Sequence, residues 1–184
     1  MQVAIIGAGP LGRWLSFAAA RAGYTVLLED VMPANLHHAQ EYLRQQLGPT
    51  ALPKVTFAST IEQAVREADL AIDCVPDELE SKLEIFCLLD RMAPPRTVLM
   101  TPTTHLSIAD LASCTYRAEK CVALAANARD FTGGAMNNGI DRGGGVEVLL
   151  RTPPRITLET IALVREFWER VGFLPRFEAD TAPL

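Results

Sequence analysis

Long apolar runs are missing from this chain. No uninterrupted stretch approaches the ~20 residues that a membrane-spanning helix needs, so no membrane partner is expected. Basic clusters are missing as well. The 17 Lys and Arg are outnumbered by 22 Asp and Glu, for a formal charge of -5. No local Lys/Arg patch overrides that balance, which argues against nucleic acid as a partner. Cysteine is scarce: the 4 residues, Cys74, Cys87, Cys114 and Cys121, are scattered and form no C-x-x-C pair. Free thiols in a cytoplasmic protein are the expectation. The chain enters an apolar strand at Val3, with no basic segment and apolar stretch of the kind that marks a signal peptide. Internal repeats and linker-like stretches are also lacking.

What is present is an ordinary globular composition: 184 residues, 49% of them hydrophobic and 21% charged. That length supports one domain spanning 1–184 with a full core. Apolar runs alternate with amphipathic stretches. Strands are expected at 3–6, 25–29, 55–58, 70–75, 97–101, 121–126, 145–150 and 173–178. Helices are expected at 10–22, from Pro33 to about Leu47, after Thr60, at 78–92, after Ser107 and at 157–171. Thr60 with Gln63 and Ser107 with Asp110 have the spacing of helix N-caps. Residues 129–145 read as a loop, because six of the chain's 12 glycines fall in 133–145. Strands separated by helices imply βαβ units, a mainly parallel sheet and a doubly wound α/β fold, with ligands at the C-terminal strand ends.

The strongest motif is G-A-G-P-L-G, Gly7 to Gly12, which follows a strand and opens a helix. Gly7 permits the tight turn, Gly9 allows a pyrophosphate close to the backbone, and Gly12 lets helix and sheet pack closely. Pro10 and Leu11 sit at the helix N-terminus, where free N–H groups and the helix dipole favour phosphate. Arg13 is either a phosphate contact or a solvated helix residue. Asp30 ends the second strand, at the place where a carboxylate accepts the hydroxyls of the adenosine ribose. An acid there repels a 2′-phosphate, so a Rossmann-type site for NAD rather than NADP is expected.

Four stretches together resemble the N-terminal, NAD-binding domain of the L-3-hydroxyacyl-CoA dehydrogenases. They are VAIIGAGPLGRWLSFAAARAGYTVLLED, ADLAIDCVPDELESK, LDRMAPPRTVLMTPTTHLSIADLA and VEVLLRTPPRITLETIALVREFWERVGFLPRFEADTAP. The resemblance implies hydride transfer between NAD and a 3-hydroxyacyl-type substrate, an acyl-CoA or a smaller hydroxy acid, in fatty acid metabolism. By position it places Val75, Pro76 and Asp77 on the cofactor, Asp77 standing where the family has Glu near the nicotinamide ribose. Lys82 stands where a Lys contacts cofactor or the CoA side of the substrate. Thr104 takes the place of a Ser at the reacting end of the substrate, His105 that of a second Ser, and Pro102 that of an Asn.

The sequence departs from the family in C-V-A-L-A-A-N-A, residues 121–128. The family carries there a His that takes the hydroxyl proton as hydride leaves; here that position is Ala125. The Glu that orients the family's His corresponds to Glu147, which reads alternatively as a solvent-facing strand residue. His105 is the candidate substitute base, or else a polar loop or cap residue. Asn127, Arg129 and Asp130 are further candidates for the cleft, Asn127 matching the family's Asn after a one-residue slip. His37 and His38 read as a solvated helix face. The segment between strands two and three is short, the loop before Glu147 is about ten residues longer than the family's, and the chain ends about where the family's helical domain begins. That predicts an exposed apolar face, contacted by a second copy or a partner chain, to which the helix at 157–171 contributes. Three readings stay open: an oxidoreductase with a substitute base, a non-catalytic NAD(H)-binding sensor or subunit, and a structural relic.

Overall fold

The structure is a computed structural model that describes residues 1–132 and 145–180. Of the loop expected at 129–145, residues 133–144 lie outside the described residues. Eight strands form one sheet in the order β3-β2-β1-β4-β5-β6-β7-β8. They are β1 (Gln2–Ile6), β2 (Thr25–Glu29), β3 (Val55–Ala58), β4 (Leu70–Asp73), β5 (Val98–Pro102), β6 (Cys121–Leu124), β7 (Glu147–Thr152) and β8 (Leu174–Ala179). Every pairing is parallel except β6 with β7, where Ala123 faces Arg151 and Leu124 faces Leu150. The fold is the doubly wound, Rossmann-type α/β architecture that the alternating pattern implies.

Strand alternation sorts the core into two layers. Val3 and Ile5 of β1 face α1 (Pro10–Arg21), α2 (Pro33–Gln46) and α7 (Leu158–Val171), where Leu15, Leu43 and Phe167 are fully buried. Ala4 and Ile6 face α3 (Ile61–Val65), α4 (Leu79–Met92) and α5 (Ile108–Ser113), packing with Val65, Phe86 and Leu111. With both faces covered, the inner strands read as continuous apolar runs rather than alternating ones.

The expected caps are formed. Thr60 and Ser107 accept hydrogen bonds from the N–H groups of Gln63 and Asp110 at 3.1 and 3.3 Å. Gln63 reaches back to the N–H of Ser59, 2.9 Å away, one residue earlier than the simplest capping box. Helix α7 starts at Thr157, which accepts from Thr160 N–H, and stops at Gly172, where φ is +107°. Helix α4 ends under Arg117, whose guanidinium donates to the carbonyls of Asp90 and Pro94 at 2.7 and 2.6 Å and to the Asp90 carboxylate at 2.8 Å. A cation on the last carbonyls opposes the helix dipole favourably.

One expectation is corrected. Residues 129–132 are not loop: Ala128–Thr132 forms a short helix, α6. It brings Phe131 between Trp14 and Trp168, at ring centroid distances of 4.5 and 6.1 Å, and burial of these rings makes the turn worth forming. Helix α7 buries Val164, Phe167, Trp168 and Val171 against α1, Phe131 and Phe173, while Leu158 at its start stays 79% exposed.

Candidate functional site

The glycine motif sits where strand order reverses around β1. Gly7 turns with φ +103° and donates to the Glu29 carbonyl at 2.7 Å; a Cβ here would lie 2.9 Å from the Cys74 backbone. At Gly12 a Cβ would meet the Gly7 carbonyl oxygen at 1.8 Å, so α1 approaches the sheet more closely than any side chain permits. Gly9 caps α1, Pro10 follows at N1, and a Cβ on Gly9 would meet nothing within 4 Å. Space in front of Gly9 is therefore open at a helix N-terminus, as a diphosphate requires.

Two cavities flank this point and share Gly9, Pro10, Cys74, Val75 and Pro76. The larger, about 570 Å³, opens toward the end of β2, with Asp30 and Asn35 on one side and Ile61 and Ile85 on the other. Asp30 is tied down: its Oδ2 accepts from Ala8 N–H and its Oδ1 from Met32 N–H, each at 2.7 Å, and Asn35 donates to both oxygens at 3.1–3.2 Å. The carboxylate thus couples the glycine turn to the start of α2.

The smaller cavity, about 180 Å³, lies toward β5 and β6 and is bounded by Leu11, Asp77, Pro102, Ala126 and Asn127. Asp77 Oδ2 accepts the N–H of Thr104 at 3.1 Å and lies 3.2 Å from His105 Nδ1. The other oxygen, Oδ1, is buried with no hydrogen-bond partner. The side chains of Thr104 and His105 are exposed beside it. Asn127 lines the cavity but caps α6: its Oδ1 accepts from Arg129 N–H at 2.8 Å, while Asp130 accepts Asn127 N–H at 2.7 Å. This is a reciprocal cap, which occupies both residues locally. Arg129 is exposed, as are His37 and the neighbouring His38 on α2, where His37 pairs with Glu41 at 3.4 Å.

Lys82, expected on cofactor or substrate, is fully buried in this structure. Its Nζ donates to Asp73 Oδ2 at 3.2 Å, Thr101 Oγ1 at 2.8 Å and the Val75 carbonyl at 3.4 Å, and Thr101 donates to Asp73 at 3.0 Å. Those bonds hold the end of β4 against β5 and leave no free donor. Cys74 lies at the seam between the cavities, where burial, and then Asp73, push its thiol far above the ordinary range and disfavour the thiolate. Among the described residues no group of three His, Cys, Asp or Glu is placed to hold a metal.

A model of the 3-hydroxyacyl-CoA dehydrogenase NAD-binding domain matches residues 2–125. This chain belongs to that family. NAD is the cofactor of the domain, and the open helix N-terminus at Gly9 and the acid at Asp30 suit it. The chain is 29% identical over 136 residues to a probable 3-hydroxybutyryl-CoA dehydrogenase of Bacillus subtilis, covering 67% of this chain and 47% of the relative. It is 30% identical over 123 residues to the 3-hydroxyadipyl-CoA dehydrogenase of Escherichia coli, covering 60% and 26%. The solved 3-hydroxybutyryl-CoA dehydrogenase of E. coli has the same fold, with a TM-score of 0.82 at 24% identity, over 98% of this chain and 38% of that one. The chain spans about half the length of the first of these relatives and a quarter of the second.

The matched span of the NAD-binding domain ends at Ala125. Ala125 N–H donates to the Leu149 carbonyl at 2.9 Å, so β6 continues beside β7 for one more residue. By the register of that pair, Glu147 lies on the same sheet face as Ala125 and Leu149. Its carboxylate is exposed and pairs with Arg176 of β8 at 3.2 Å. Within the domain, sequence reasoning did not single out Asn35, the Asp73–Lys82–Thr101 cluster or Glu29. The alternation of β2, apolar at Leu27 and acidic at Glu29 on one face, was the signal available for the last.

Proposed function

We propose that this chain binds NAD(H) across the two cavities and takes part in hydride transfer with a 3-hydroxyacyl-type substrate, an acyl-CoA or a smaller hydroxy acid. In this reading Gly9 and the first turn of α1 hold the diphosphate, and Asp30 holds the adenosine ribose. The larger cavity takes the adenine, and the smaller one, at Asp77, Pro102 and Ala126, the nicotinamide half. When bound, the cofactor supplies the hydride acceptor, or in the reduced state the donor. The chain must supply the proton acceptor for the substrate hydroxyl, and Ala125 has no group to do so.

The observation that carries the reading is the Asp77–His105 pair, of which Asp77 lines the smaller cavity. A carboxylate beside Nδ1 favours the tautomer with its proton there and leaves Nε2 as the base. His105 Nε2 then takes the hydroxyl proton while hydride leaves the same carbon, and Asp77 balances the imidazolium. Thr104, held through its N–H by Asp77, offers its hydroxyl to the substrate oxygen. Oxidation of NADH by acetoacetyl-CoA, followed at the nicotinamide band, is the test; turnover no greater than without protein rules out the dehydrogenase reading.

The second reading is a non-catalytic NAD(H)-binding sensor or subunit. What favours it is Ala125 together with the engagement of Glu147 by Arg176 on the outer strands. NAD binding by calorimetry without turnover selects this reading, and no binding of NAD or NADH rejects both.

A further inference from the structure

The larger cavity carries an acid that the roles above leave unused. Glu29 ends β2, one residue before Asp30, and points to the other side of the sheet. It shares that side with Leu27, which packs toward α3 and α4, and it lines the cavity with Ile6, Ile61, Val75 and Ile85. Only 6% of Glu29 is exposed. Among the described residues no donor or cation meets its carboxyl. Burial first and the neighbouring Asp30 second push it above the usual carboxylate range, and no group acts in the other direction. A carboxyl that opens onto an apolar-walled cavity without a partner gains from a ligand's donor. Here it sits in an apolar slot, with Asp30 at the slot's edge already assigned to the sugar. A planar base attached to that sugar would reach the slot, whose other polar side chains, Asp30 and Asn35, are bonded to each other.

We propose that Glu29 is a base-recognition residue, whose carboxyl accepts a hydrogen bond from the exocyclic amine of adenine. The proposal rests on the NAD(H)-binding reading and adds to it a choice between bases. Hypoxanthine carries a carbonyl oxygen in place of the amine, which sets acceptor against acceptor and leaves the carboxyl unpaired. A site built to bond one polar group rejects the analogue that lacks it.

The test is calorimetric titration of the wild-type chain, Glu29→Leu and Glu29→Gln with NAD and with nicotinamide hypoxanthine dinucleotide. Wild-type protein is expected to bind NAD at least tenfold more tightly than the hypoxanthine form. Glu29→Leu brings the two within twofold. Glu29→Gln narrows the gap below threefold, because a rotated amide also donates to the hypoxanthine oxygen. A wild-type ratio within twofold overturns the proposal, as does either variant keeping the full tenfold preference. If Glu29→Leu does not fold, the wild-type ratio and the isosteric Gln variant decide. Wild-type protein that binds neither dinucleotide overturns the NAD-binding reading, and the proposal with it.

Discussion

His105 Nδ1 stands 3.2 Å from Asp77 Oδ2, and the same oxygen accepts the N–H of Thr104. One carboxylate, which itself lines the smaller cavity, therefore holds two residues of the loop after β5. If His105 is the base, His105→Ala lowers turnover by roughly 10²–10⁴-fold, the usual contribution of a positioned acid or base. The NAD dissociation constant measured in parallel should move less than threefold. Asp77→Asn should reduce kcat by a smaller factor. Equal rates for wild type and His105→Ala remove His105 from the reaction.

Ala125→His puts an imidazole where the resemblance places the family's base, on the sheet face shared with Glu147. Turnover is expected to rise at least tenfold, with the pH profile gaining an ionisation in the histidine range. An unchanged rate in a folded variant that still binds NAD indicates that more than the imidazole is absent.

Asp30 accepts from Ala8, Met32 and Asn35, so its loss loosens the glycine turn and, in the proposed NAD-binding reading, removes the ribose acceptor as well. Asp30→Ala should weaken NAD binding by roughly tenfold or more, the scale of one or two charge-assisted hydrogen bonds. It should also shrink the preference for NAD over NADP, which calorimetry with both reads directly. A variant that binds NAD as wild type does rejects Asp30 as the ribose residue.

Lys82→Met leaves the Asp73 carboxylate buried without its cation. The expected cost is about 3–5 kcal/mol in urea unfolding, as for other broken buried pairs. The double change Asp73→Asn with Lys82→Met should recover part of that and bind NAD within threefold of wild type. A collapse of binding in the folded double variant would mean that Lys82 reaches the cofactor after all.

Glu29 keeps its proton to higher pH in the folded chain than in the unfolded one, where glutamate titrates near ~4.3. Between that value and the raised one the folded state binds more protons, so this group's effect on stability worsens as pH rises through the window. Glu29→Gln cannot ionise. Its melting temperature relative to wild type should climb from pH 4 toward neutrality. Parallel melting curves across that range would show that Glu29 ionises freely.

Much of the fold was readable from local pattern. Strand runs such as Val3–Ile6, the Thr60 and Ser107 caps and the glycine turn depend on neighbours within a few residues, and each formed where expected. Strand ends were less legible: β6 stops at Leu124 and β4 at Asp73, short of the apolar runs that suggested them. Helix α6 was missed because its five residues have no periodicity to detect, and it is held by Phe131 packing on Trp14 and Trp168, which are distant in sequence.

Sequence alone determined the doubly wound class, the dinucleotide turn, the acid at Asp30 and the absence of a base at position 125. Each follows from residue type at a fixed spacing, where backbone sterics and charge act locally. Only the tertiary structure decided where the charged side chains point. It buried Lys82 against Asp73 and Thr101, set His105 beside Asp77 and turned Glu29 into the larger cavity. Those outcomes depend on which strands become neighbours and on what else can satisfy a buried charge, and a linear pattern carries neither.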